Sequence, residues 1–189
     1  ELLGHARRNF AAAGLSSHRT RLIAGRALDV LPRMAARGYD MVVLDGDLDE
    51  TPQYLDHAVR ILRPGGRYVI HELAMRPDSI GEEPATEIRR ALARAINVNA
   101  RPLTVADWRR ALEDVGLVVE ETRMAPMALL KPGRLIADEG VRGALRIARN
   151  VARDKDLRER VTTMARTFKK YDRHLCGVAI VARKPKENQ

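Results

Sequence analysis

The feature that most constrains this chain is a repeated alternation. A helix-patterned segment stops at glycine, and a short run of uninterrupted apolar residues follows. Residues 27–37 carry Leu28, Leu31 and Met34 at spacings of three and close at Gly38, which is one face of a helix. Residues 41–44, MVVL, come next, the composition of a strand buried on both faces of a sheet. Thr51 and Pro52 open a second helix, Thr as N-cap and Pro at the first helical position. Tyr54, Leu55, Ala58, Val59 and Leu62 fall on one side of it. Pro64-Gly65-Gly66 then turns the chain into a strand at 68–70 that finishes on His71 and Glu72. Such alternation builds an α/β fold around a mostly parallel sheet. In these sheets ligands bind outside the carboxyl ends of the strands. Asp45, Asp47, His71 and Glu72 each follow an apolar strand, so a ligand crevice would explain why buried strands end on side chains that prefer water.

The remaining chain is consistent with this plan. Residues 2–13 read as a helix ended by Gly14, and 21–24 (RLIA) as a short strand stopped at Gly25. MRPDSIGEEP, with Pro77, Gly81 and Pro84, reads as a loop, and 85–96 as an amphipathic helix. Thr104 caps a further helix, with Asp107 three residues on completing a capping box in which Asp replaces the usual Glu. Leu117 begins another strand, 124–169 a long helical excursion, and CGVAIVARK an apolar closing strand. The expected organisation is a core over 1–123, a helical insertion or lid over 124–174, and the closing strand and tail over 175–189.

Composition narrows the partners. At 189 residues and 45% hydrophobic, the chain can bury one good-sized core. No segment approaches the ~18 apolar residues of a membrane span, so no membrane partner is expected. Cys176 is the one cysteine, which excludes an internal disulfide and fits a reducing, cytoplasmic setting. The net charge of +9 would suit nucleic acid, an anionic cofactor or a membrane surface. The arginines, however, are scattered among acids, and aromatics are only 4%, so solvated helix faces are favoured over an RNA-binding surface.

The stretch AGRALDVLPRMAARGYDMVVLDGDLDETPQYLDHAVRILRPGGRYVI resembles the caffeoyl-CoA-type O-methyltransferases of the class I S-adenosylmethionine (SAM)-dependent methyltransferases. From HELAMRPDS onward the chain resembles small-molecule methyltransferases of the same superfamily with a helical insertion before the last strand. The resemblance implies a Rossmann-like methyltransferase sheet with helices on both faces, SAM as cofactor and a small-molecule acceptor; a homodimer is compatible with it. The departure is at the front. The family's GxGxG loop, and the acidic residue that holds the ribose, have no counterpart in the sequence, and Glu1 aligns a few residues past the acidic position. The first βαβ unit, roughly 30 residues or more, thus has no counterpart here; either it lies upstream of Glu1, the favoured expectation, or this chain builds a rearranged, weaker sheet.

Gly25, Arg26 and Ala27 fall where the family places the loop that edges the adenine, and Asp45 where a residue faces cofactor and substrate. In metal-dependent relatives the residue matching Asp45 binds a divalent cation with an Asp-Asn pair. Here that pair reads His71-Glu72, a poor set for a hard cation, so no metal is expected. His71 suits a general base near neutral pH, with Glu72 orienting or charge-balancing it. Adjacent strand residues face opposite sides, however, so both reach one site only through a twist or bulge. Asp47 and Asp49 suit the start of the following helix. Met124, Met127, Leu129, Leu130 and Trp108 would line an apolar pocket under the lid or pack the insertion onto the sheet. Tyr171 and His174 would reach the crevice or lie on the surface, and Cys176 reads as core. The rival readings are an RNA methyltransferase, a nicotinamide-dependent oxidoreductase (though without the Tyr-x-x-x-Lys dyad of the short-chain type) and a non-catalytic fragment or binding module.

Overall fold

The computed structural model describes residues 2–16, 18–44, 50–96, 102–127 and 132–186. The backbone divides into two compact units, Glu1–Ala35 and Ala36–Gln189.

The first unit holds helix α1 (Leu2–Ala12), a connecting segment, helix α2 (Ala27–Val30) and a 3-10 turn at Leu31–Arg33. Gly14, at φ 71°, ends the α1 region as read. Two expectations fail here. Residues 21–24 form no strand, because no partner strand lies beside them among the described residues. The helix expected over 27–37 stops by Arg33; Pro32 supplies no N–H to continue it.

The second unit alternates β1 (Tyr39–Leu44), α3 (Thr51–Ile61), β2 (Leu62–Met75), α4 (Glu82–Ile96), β3 (Leu103–Thr104), α5 (Val105–Asp114) and β4 (Val118–Pro126). Two helices, α6 (Pro132–Arg153) and α7 (Lys155–Lys170), then precede β5 (Leu175–Arg183). The sheet order is β1-β2-β5-β4, with β3 paired to β2. β1 and β3 run parallel to β2, while β5 runs antiparallel to both β2 and β4. The closing strand therefore enters the middle of the sheet in reverse.

Pairing register assigns the faces. Tyr68, Ile70 and Ala74 of β2 lie beside Ala182, Ile180 and Cys176 of β5. They form a core with Leu55 and Ala58 of α3 and Trp108 and Leu112 of α5. On the opposite face Met75 and Leu175 pack with Ile88 and Leu92 of α4 and Tyr171 after α7. Helices thus cover both faces, as the α/β reading requires. β1 departs from its expectation: Val42 and Leu44 join the first core, but Met41 and Val43 are 52% and 63% exposed. It is an edge strand packed on one face only, and an apolar run alone does not separate one buried face from two.

Several boundaries also move. Glu50 is the N-cap of α3, so Thr51 is its first helical residue. α4 starts at Glu82 and absorbs Pro84 into its first turn, where the missing N–H costs nothing. The helical excursion starts after residue 124, since Met124 and Pro126 still belong to β4.

Pro64-Gly65-Gly66 is a bulge inside β2, not a turn before it. Leu62 pairs with Tyr39 and Arg67 with Met41, so four residues of β2 oppose Asp40 alone. Gly65 has φ 78°, and a Cβ on Gly66 would meet the Arg63 carbonyl oxygen at 2.9 Å and that of Asp40 at 3.1 Å. The bulge is pinned from the far end of the chain: Gly65 N–H donates to the Lys184 carbonyl at 2.8 Å, and Lys184 N–H to that of Gly66 at 2.9 Å. The Lys184 ammonium donates to the Val59 and Leu62 carbonyls at 2.7 and 2.9 Å, satisfying acceptors left open where α3 ends.

Candidate active-site edge

The two strands that flank the candidate edge are unequal in length. β1 ends at Leu44, opposite Ile70, while β2 runs on to Met75. β5 pairs with β2 continuously from Arg67 to Met75. β3, which pairs with Ala74 and Met75, must therefore lie on the same side of β2 as β1. Among the described residues, a notch lies between Leu44 and Leu103, and its floor is the unpaired edge of β2 at His71, Glu72 and Leu73. No strand pairs with β2 there among the described residues. The notch stands at the carboxyl end of β1, the edge where α/β sheets bind ligands. His71 and Glu72 therefore sit where the neighbouring strand stops, although their own strand continues.

The two side chains diverge. His71 pairs with Ala179 and Glu72 with Val178 in an unbroken register, without the bulge that would turn both one way. Glu72 shares its face with Tyr68 and Ile70; His71 shares the other with Val69 and Leu73, and is exposed. Glu72 cannot orient His71 as the sequence allowed, nor can the two chelate one ion together. Burial, and then the carboxylate of Glu72, push the buried Tyr68 phenol well above its ordinary value. Its hydroxyl has no hydrogen-bond partner among the described residues.

Asp45, Asp47 and Asp49 lie outside the described residues, as do Leu129, Leu130 and Glu1. Among the described residues no group of three or more His, Cys, Asp or Glu side chains is arranged to hold a metal ion.

In the first unit, Gly25 sits at φ 141°, and a Cβ there would meet the Val30 side chain at 3.1 Å. Arg26 is extended as the N-cap of α2, and its carbonyl accepts from Asp29 and Val30 at 3.0 and 3.2 Å. The Gly25-Arg26-Ala27 turn thus requires a residue without a side chain at its head.

The apolar set does not converge. Trp108 is buried in the α3–α5 core and Met127 packs on the opposite cluster with α4, while Met124 is 62% exposed. Tyr171 is neither in the notch nor on the surface; it donates to Glu87 of α4 at 2.6 Å and accepts from Lys170 at 2.8 Å. His174 Nδ1 lies 3.3 Å from the Arg76 carbonyl. Cys176 is buried as read, and burial raises its thiol above the ordinary value, the condition of an inert core thiol.

Sequence reasoning missed an open groove of about 740 Å³ between α5 and β4, bordered by Arg76, Asp78, Arg109, Thr122 and Met124. Asp78 accepts from the Ala106 N–H at 2.9 Å, holding the loop after β2 against the start of α5. The Thr122 hydroxyl is buried without a partner among the described residues. The lining comes from three separate segments, so no local pattern announces it.

No protein-family model matches the chain. Over 133 residues it is 36% identical to a "Putative O-methyltransferase" of Mycobacterium sp. (strain JLS), covering 70% of this chain and 52% of the relative. A second protein of that name, from Mycobacterium bovis (strain BCG / Pasteur 1173P2), is 37% identical over 146 residues, 77% of this chain and 54% of the relative. The chain spans about half the length of the curated relatives it matches. Among solved structures, a SAM-dependent methyltransferase from Geobacter sulfurreducens in complex with S-adenosyl-L-homocysteine superposes with a TM-score of 0.61. It is 17% identical, and the match covers 95% of this chain and 70% of that one. That likeness shows a Rossmann-like fold, and over most of its length the chain is similar in sequence to proteins named putative O-methyltransferases.

Proposed function

We propose that the protein transfers a methyl group from SAM to a hydroxyl oxygen of a small molecule in the cytoplasm. The observation that carries this reading is the 36% identity, over 133 residues, to a protein named for O-methyl transfer. The notch beside His71 supplies an edge at which such chemistry can be placed. SAM, when bound, supplies an electrophilic methyl group on a sulfonium centre. Gly25, Arg26 and Ala27 are the residues of this chain that would border its adenine, and Asp45 would face cofactor and acceptor. The GxGxG turn has no counterpart in the sequence, so these residues account for only part of a cofactor site.

The work left to the protein is alignment and proton removal. His71, exposed on the free edge of β2, is the proposed general base: its neutral imidazole accepts the hydroxyl proton as the oxygen becomes nucleophilic. Glu72 is proposed to act separately, as a negative charge on the other face of the same strand. The helices between β4 and β5 are proposed to cover the acceptor. A single buried cysteine fits the reducing compartment.

Calorimetric titration with S-adenosylhomocysteine tests the reading. Micromolar binding by this chain, or by the chain with any residues encoded upstream of Glu1 included, is the expected result. Absence of binding in both overturns it.

A further inference from the structure

The exposed side of α6 carries two parallel rows of different chemistry. Val141, Leu145, Ala148 and Ala152 recur at helical spacing, and all four are exposed; Val141 and Leu145 are 63% and 65% accessible. Arg142, Arg146, Arg149 and Arg153 repeat that spacing one residue later, a row about 100° further round the helix. They too are exposed. The helix turns a different side to the protein: Gly143 and Ala144 are buried, and Ile147 and Val151 partly so. Among the described residues none of the four arginines has an acidic partner, whereas Arg134 near the start of α6 is paired with Asp138 at 2.9 Å. Gly140, at φ 69° and ψ 168°, interrupts the helix just before the rows begin, so residues 141–153 form a helical segment of their own.

An apolar row in water beside unneutralised guanidinium groups is the pattern of a helix that lies in the plane of a bilayer. Its apolar side enters the acyl boundary and its cations meet anionic headgroups. We propose that α6 docks the protein on an anionic lipid surface through these two rows. Nucleic acid would engage the arginines but leave Val141 and Leu145 in water. A second copy packed on the apolar row would set a second row of arginines beside the first. No described helix is long and apolar enough to cross a membrane, and surface docking needs none. The sequence expectation of no membrane partner rested on the absence of a spanning segment. The proposal does not depend on the methyl-transfer reading.

The test is sedimentation of the 189-residue chain with phosphatidylcholine vesicles containing about one-third phosphatidylglycerol, with pure phosphatidylcholine and an unstructured RNA as comparisons. The expected result is binding to the anionic vesicles only, falling as salt is raised. Leu145→Glu, and separately the Arg146→Glu/Arg149→Glu double variant, each weaken it about tenfold or more. These positions are exposed, so thermal unfolding should match the parent. If one variant fails to fold, the other decides. No binding to anionic vesicles, or binding that Leu145→Glu leaves intact in a folded protein, overturns the proposal; so does RNA binding without vesicle binding.

Discussion

His71 and Gly66 show how much a single position can carry in this fold. His71 stands on a free strand edge, where β1 has ended and a ligand can approach. If it removes the acceptor's proton, His71→Ala lowers kcat by about 10²–10⁴-fold while leaving S-adenosylhomocysteine affinity unchanged; steady-state kinetics and calorimetry together check this. A loss of cofactor affinity instead would assign His71 a binding role. Gly66 is constrained on geometry alone. Its missing Cβ faces two backbone oxygens, at 2.9 and 3.1 Å, that cannot give way as a side chain would. Gly66→Ala is expected to cost about 1–3 kcal/mol in urea unfolding. The Pro-Gly-Gly signal was visible in sequence, but its meaning was not. A turn and a bulge call for the same residues, and only the register shift opposite Asp40 and the clamp from Lys184 separate them. Glu72 was legible as an edge residue in the same way, yet the face it occupies depended on a register without a bulge.

Among the elements, the contact between α4 and the end of α7 has a defined chemistry. Tyr171 O–H and the Lys170 ammonium both donate to one oxygen of Glu87, at 2.6 and 2.9 Å. These hydrogen bonds, the Tyr171 one foremost, hold the Glu87 carboxyl below its ordinary 4.5. Hydrogen bonds to Tyr171 and then Glu87 raise the Lys170 ammonium above its ordinary 10.5. A depressed acid contributes stability above its unfolded pKa and loses it as pH falls through the folded one. A raised base contributes fully below its unfolded pKa and loses it as pH rises through the folded one. The staple is therefore complete between about pH 4.5 and 10.5. Glu87→Gln should lower the melting temperature by a constant amount across neutral pH, and the gap to the parent should close on acidification below that window. A gap that persists in acid would mean packing, not charge, joins these helices. The sequence marked both segments as helices but paired neither with the other, since 84 residues separate Glu87 from Tyr171.

At the scale of the whole molecule, the exposed face of β1 is the feature with a direct consequence. Met41 and Val43 lie in solvent on an edge strand, and an apolar edge of this kind invites pairing with another chain. Val43→Lys is expected to reduce light scattering of concentrated protein while changing unfolding free energy by no more than about 0.5 kcal/mol. An unchanged scattering profile would mean this face is already covered in solution. The sequence by itself determined which segments become the main strands and helices of the second unit, the Thr104 cap, the buried cysteine and the carboxyl edge as the place to look for chemistry. Each of these is written in local periodicity or in a residue type with one dominant physical preference. Only the tertiary structure decided that the last strand enters antiparallel between β2 and β4, that β1 has one buried face, and that residues 21–24 remain unpaired. It also decided that the notch opens beside His71, and that both rows of α6 face water. Those outcomes depend on which distant segments meet. Periodicity reports whether a residue prefers burial but not what buries it, so strand order, free edges and exposed faces follow from contacts that no local pattern encodes.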